Sequence, residues 1–85
     1  MKIVYEKSFV KDFEKAPLKV QQAFIERLEL FIRDRYAPAL HDHALKGKLK
    51  DYRSINITGD WRALYREYPK EVVFFIMMGT HSGLY

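Results

Sequence analysis

At 85 residues, 48% of them hydrophobic and 15% aromatic, the chain has length for one core and too much apolar content for a disordered segment. It has no cysteine, which excludes disulfides and thiolate metal sites. The formal charge of +4 suits a polyanionic partner, and equally a solvated basic face. No apolar run approaches the roughly 20 residues of a membrane span. The opening Met-Lys-Ile-Val-Tyr-Glu lacks the apolar stretch of a secretory signal. The expectation is a soluble cytoplasmic protein, one domain over residues 1–85, with no membrane association. Positive charge is densest in the middle of the chain. Residues 36–66 hold Lys46, Lys48, Lys50, Arg53, Arg62 and Arg66 against three acidic side chains.

Residues 2–6 are β-branched and aromatic, and predict a short opening strand. Ser8 is the expected N-cap of a first helix, with Phe9, Val10 and Phe13 sharing a face. Pro17 ends that helix and starts the next. From residue 18 to about 35, Val20, Phe24, Leu28 and Phe31 recur at helical spacing, with Ile25 and Ile32 widening the stripe. The stripe predicts a core-facing helix, so a helical hairpin follows the first strand. Pro38 breaks the period, and residues 40–51 predict an extended or looped connection. Residues 52–57 then alternate as a strand, with Thr58-Gly59-Asp60 as its turn and residues 61–67 as its hairpin partner. A second turn at 68–71 leads into residues 72–78. This run is apolar on both faces, as for an interior strand covered by helices. The tail from Gly79 to Tyr85 is short and mostly polar. The predicted class is α+β: a strand, a helical hairpin, then an antiparallel three-stranded meander packed against the helices.

Few chemistries fit this residue inventory. His41-x-His43 with Asp42 and His81 has the donor types of a zinc site, but neither cysteine nor a helical H-x-x-x-H spacing supports one. No metal and no cofactor are expected. Ser82 lacks a nucleophile elbow, and the glycines are too scattered for a phosphate loop. Metal-free RNA cleavage asks for less, because the RNA supplies its own 2′-hydroxyl nucleophile. The protein must add a general base, a general acid and positive charge for the pentacovalent transition state. Histidine suits both proton-transfer roles, Arg and Lys suit the phosphate, and aromatic side chains can stack on splayed bases.

The pieces Asp42-His43-Ala44-Leu45-Lys46-Gly47, Asp51-Tyr52-Arg53, Gly59-Asp60-Trp61 with Leu64-Tyr65, and Gly79-Thr80-His81-Ser82-Gly83-Leu84-Tyr85 stand in the order and near the spacing of a known family. In them the chain resembles the YafQ-like branch of the RelE/ParE toxin superfamily. The N-terminal half matches only as a strand followed by a helical hairpin. The resemblance implies a toxin of a type II toxin–antitoxin system. Such a toxin is a ribosome-dependent endoribonuclease that cleaves mRNA and is neutralised by a cognate antitoxin. By matched position it implies His81 as the principal acid/base group, His43 as a second contributor to cleavage, and Asp60 as an acidic residue of the site. Tyr85 takes the place of a terminal aromatic. Arg53 is an expected phosphate ligand, and Lys46, Arg62 and Asn56 are candidates for holding phosphate or base.

Two departures bear on activity. Ser54 stands where the family pattern has an acidic residue after Tyr-Arg, and Asn56 stands where it has a further histidine. Neither can serve as a general acid or base near neutral pH, although both can hydrogen-bond to a phosphate or base. Proton chemistry then falls to His43 and His81. Two alternatives share the scaffold, because a fold does not fix a function. One is a non-enzymatic, ParE-like inhibitor of DNA gyrase. The other is a catalytically weak homologue acting through its antitoxin. For Asp60 the bland reading is turn preference, for Arg53 an ion pair with Asp51 or a helix carboxylate, and for Tyr85 a cap on the core edge. Trp61 and Tyr65 are expected to pack.

Overall fold

A computed structural model describes residues 1–69 and 71–85. Strands β1 (Lys2–Tyr5), β2 (His43–Ala44), β3 (Arg53–Thr58), β4 (Trp61–Tyr68) and β5 (Val72–Thr80) form one sheet in the order β1-β5-β4-β3-β2. β1 runs parallel to β5, and every other pairing is antiparallel. Helices α1 (Lys7–Lys15) and α2 (Leu18–Arg33) pack on this sheet, and a one-turn helix α3 (His81–Leu84) ends the chain. The α+β class, the opening strand, the hairpin of helices and the β3-β4-β5 meander are as expected.

The α1–α2 corner follows from Pro17, which has no N–H to continue a helix. The Ala16 N–H turns back to the Phe13 carbonyl, while the Pro17 carbonyl accepts the N–H groups of Val20 and Gln21. The Gln21 amide donates to the carbonyls of Phe13 (2.8 Å) and Ala16 (3.1 Å), satisfying acceptors left open at the end of α1. Ser8 is not the N-cap. Glu6 occupies that position, and the Ser8 hydroxyl instead donates to the Ile76 carbonyl. The reason is tertiary: β1 pairs with β5 only as far as Phe75, so the edge of β5 beyond it is unpaired. Ser8 and Asp12 serve that edge, the Asp12 carboxylate accepting the Met78 N–H at 3.0 Å.

The core joins Phe9, Val20, Phe24 and Phe31 of the helices to Ile55, Ile57, Ala63, Tyr65, Val73, Phe75 and Met78 of the sheet. Phe31, Tyr65 and Phe75 are completely buried, with ring centroids 5.1–5.8 Å apart. Burying one such ring contributes on the order of 2–3 kcal/mol. The buried stripe of α2 is narrower than its sequence suggests. Ile25 and Ile32 are about half exposed, as is Val10 on α1.

Three further elements were not expected. The two-residue β2 pairs with Arg53 and Ser54, and two 3-10 turns, Pro38–Leu40 and Gly47–Leu49, interrupt the connection around it. β5 continues through Gly79 and Thr80 before α3 begins. The expected turn at 68–71 is placed between β4 and β5, although its Lys70 lies outside the described residues. No helix of the described residues is long and apolar enough to cross a membrane.

Candidate active site

Strand alternation sorts the chemistry-bearing residues onto two faces. In β3, Ile55 and Ile57 enter the core, so Ser54 and Asn56 point to the opposite face. Directly paired residues of antiparallel strands project to the same side. His43 is the register partner of Ser54, which faces Leu64 in turn, and Asn56 faces Arg62, whose partner on β5 is Gly79. His43, Ser54, Asn56 and Arg62 therefore share the face away from α1 and α2. Asn56 Oδ1 is buried there without a partner.

The chain terminus folds over this face. Thr80 caps α3, its hydroxyl accepting the Gly83 N–H at 3.3 Å, and the His81 N–H donates to the Asp60 carbonyl at 2.9 Å. Gly79 leaves space for Leu84, since a Cβ at Gly79 would lie 3.3 Å from the Leu84 side chain. The folded-back turn sets the His81 and Tyr85 rings edge to face, with centroids 4.5 Å apart. The Tyr85 hydroxyl then donates to Ser54 Oγ at 2.8 Å, tying the tail to β3. A continuous series of contacts results: His81 against Tyr85, Tyr85 on Ser54, and Ser54 beside His43. An open groove lined by Leu45, Lys46, Lys48, Leu49, Leu84 and Tyr85 borders it, giving the site a basic rim.

The structure brings together His43, Asn56, Tyr85 and His81, with Lys46 at the rim and Arg62 across from Asn56. Arg62 is partly committed, one of its terminal nitrogens donating to the carbonyls of Gly59 (2.9 Å) and Trp61 (3.0 Å). Asp60 lies in the β3–β4 turn with an exposed side chain, and its contact with His81 runs through its main chain. Arg53 belongs elsewhere. It pairs in register with buried Tyr65, which puts it on the helix-covered side, and its Nε donates to Asp42 at 2.8 Å. That geometry turns Arg53 away from the face of His43 and Ser54, and its ion-pair partner is Asp42, neither Asp51 nor a helix carboxylate. Trp61 and Tyr65 pack, as expected.

Asp42 anchors a polar network that residue spacing did not reveal. Its carboxylate accepts from Arg53 and from the Tyr65 hydroxyl (2.5 Å), and Arg35 Nε lies 3.6 Å away. Arg35 also binds Glu67 and the Tyr65 oxygen. Burial, and then the hydrogen bond to Asp42, push the Tyr65 phenol above its ordinary value. The hydrogen bond from Arg35 holds the Glu67 carboxyl below the usual range. In the sequence Asp42 stands out only beside His43 and as one of the donor types of a zinc site, and neither feature points to Arg53 or Tyr65 as its partners. Ser54 was read as the loss of an acidic group, and its partner Tyr85 is 31 positions away. Among the described residues no group of three or more His, Asp or Glu side chains gathers as metal ligands would.

Comparison with known proteins places the chain in a family and a fold. The family described as the bacterial toxin of type II toxin–antitoxin systems, YafQ, matches residues 1–85. No curated protein sequence matches. Among solved structures, YafQ from E. coli strain BL21(DE3) superposes with a TM-score of 0.82 at 24% identity, covering 99% of this chain and 97% of that one. YafQ in the E. coli DinJ–YafQ toxin–antitoxin complex gives 0.78 at 25% identity, with 99% and 96% covered. A conserved protein from Helicobacter pylori, solved in solution, gives 0.67 at 32% identity, with 100% and 99% covered. The complete match to the family, on a fold of the RelE/ParE kind, identifies this chain as a YafQ-family toxin of a type II toxin–antitoxin system.

Proposed function

We propose that the chain is a metal-independent endoribonuclease that cuts mRNA on the ribosome, acts in the cytoplasm and is neutralised by a cognate antitoxin. The observation that carries this reading is the series His43–Ser54–Tyr85–His81 on one sheet face, bordered by Lys46 and Lys48. The antitoxin rests on family membership and on the E. coli YafQ solved with DinJ.

In the reaction the RNA 2′-hydroxyl attacks the adjacent phosphorus and gives its proton to a base. The 5′-oxygen departs with a proton from an acid, leaving a 2′,3′-cyclic phosphate and a 5′-hydroxyl end. His81 and His43 are the proton carriers assigned to this face. Asp60 seats His81 through its carbonyl. Lys46 and Arg62 neutralise the charge that builds on the phosphoryl oxygens. Tyr85 and Asn56 contact the substrate from the tail and from β3. Ser54, buried and bonded to Tyr85, is no general acid or base near neutral pH, so the centre of the site is held together by two hydroxyl groups. This last point favours slower cleavage than a site with a carboxylate at that position.

The test is to map mRNA 5′ ends after expressing the chain without an antitoxin. Cleavage by the parent is expected, and His81→Ala should reduce it by roughly 10²–10⁴-fold with an unchanged far-UV spectrum. Equal cutting by the variant sinks the assignment of His81. If the parent leaves mRNA whole while the purified protein stalls supercoiling, the gyrase-inhibitor reading replaces this one.

A further inference from the structure

The segment entering β2 holds three consecutive residues in fixed and different ways. His41 is left-handed (φ 45°, ψ 48°), which costs an L-residue roughly 1–2 kcal/mol. Its N–H donates to the Pro38 carbonyl, closing the preceding 3-10 turn. The Asp42 side chain is only 1% exposed and lies in the clamp of Arg53, Tyr65 and Arg35. His43 returns its ring toward the start of the segment, so that Nδ1 lies 2.8 Å from the His41 carbonyl oxygen.

That last contact has a chemical consequence. A carbonyl oxygen can only accept, so the proton of the neutral ring must sit on Nδ1 and the lone pair on Nε2. The hydrogen bond is exposed to water, and by itself it contributes little to selecting a tautomer. It persists where the backbone already holds the carbonyl in place. The residue between the two histidines supplies that restraint, because moving Asp42 would leave a buried carboxylate without its donors.

We propose that Asp42 is a positioning residue: its buried clamp holds His41 in the left-handed conformation and thereby fixes His43 as the Nδ1–H tautomer, with Nε2 presented for proton transfer. Arg35, Arg53 and Tyr65 then serve the site from the opposite face of the sheet, without touching substrate. The catalytic consequence rests on the reading of His43 as a proton carrier, whereas the tautomer itself does not.

Long-range ¹H–¹⁵N correlation spectra of the free protein, recorded above the imidazole titration, read the tautomer directly. The parent is expected to show His43 protonated on Nδ1 and bare on Nε2. In Asp42→Asn the balance should move toward Nε2–H, the commoner form of a free histidine ring, with His81 unchanged. A parent spectrum with Nε2–H, or a folded Asp42→Asn that keeps Nδ1–H, overturns the proposal. Should Asp42→Asn fail to fold, Tyr65→Phe removes one donor from the clamp and should show a partial move in the same direction; no move overturns the proposal. In cleavage assays Asp42→Asn should lower kcat by about tenfold with KM unchanged, a fraction of what a general base supplies. A shifted tautomer in a protein whose parent never cuts RNA removes the nuclease reading and leaves the clamp standing.

Discussion

Ser54 and Tyr85 are best understood as one unit. A serine buried on the face of a strand needs a hydrogen-bond partner, and a terminal tyrosine needs a place for its hydroxyl. Each answers the other at 2.8 Å. Losing the pair by Tyr85→Phe should destabilise the protein by about 1 kcal/mol, because the Ser54 oxygen is left unpaired. Ser54→Ala in the same chain should recover part of that loss, giving a coupling measurable in a double-mutant cycle by urea denaturation. Additive effects in the cycle would show that the contact does not form in solution. Of the two positions at which this chain departs from its family pattern, Ser54 is thus filled by a hydrogen bond from the tail, whereas the buried Asn56 Oδ1 has no partner.

At the scale of elements, α3 depends on a single missing side chain. Leu84 packs 3.3 Å from where a Cβ of residue 79 would stand, and this contact together with the Thr80 cap holds a turn too short to be stable alone. Gly79→Val should displace Leu84 and with it His81 and Tyr85. The expected result is loss of most cleavage with a fall in Tm of only a few degrees, since the buried core lies on the other face. A variant with full activity would show that α3 need not be seated for function. The short β2 works in a similar way: two paired residues place His43 beside Ser54, and further along β3 the Arg27 Nε donates to the Ile57 carbonyl at 3.0 Å.

Across the whole molecule, the network around Asp42 joins the end of α2, the segment before β2, β3 and β4. It also gives the protein an alkaline limit. Tyr65 titrates above its ordinary value of 10.0, first through burial and then through Asp42. A raised pKa in the folded state contributes stability that is complete below the unfolded value and is lost as pH rises through the folded one. Urea midpoints should therefore fall from about pH 10 upward through this group. Tyr65→Phe should be less stable at neutral pH by about 1–3 kcal/mol, because Asp42 loses a donor, and its decline above pH 10 should be shallower. A parallel decline in both proteins would assign alkaline loss to other groups.

Sequence alone carried the fold a long way. Apolar spacing located both helices, Pro17 their junction, and period-two alternation the β3–β4–β5 meander, because these signals are local and repeat within a few residues. The ordered pieces from Asp42 to Tyr85 marked the family and supplied the candidate residues of the site. What sequence could not decide was which partners distant residues would choose. The parallel pairing of β1 with β5, the burial of Asp42 between Arg53 and Tyr65, the diversion of Ser8 to an open strand edge and the bond from Tyr85 to Ser54 each join residues far apart in the chain. Such contacts are set by which sheet face a side chain reaches and which buried polar group still lacks a partner. Only the assembled sheet determines either.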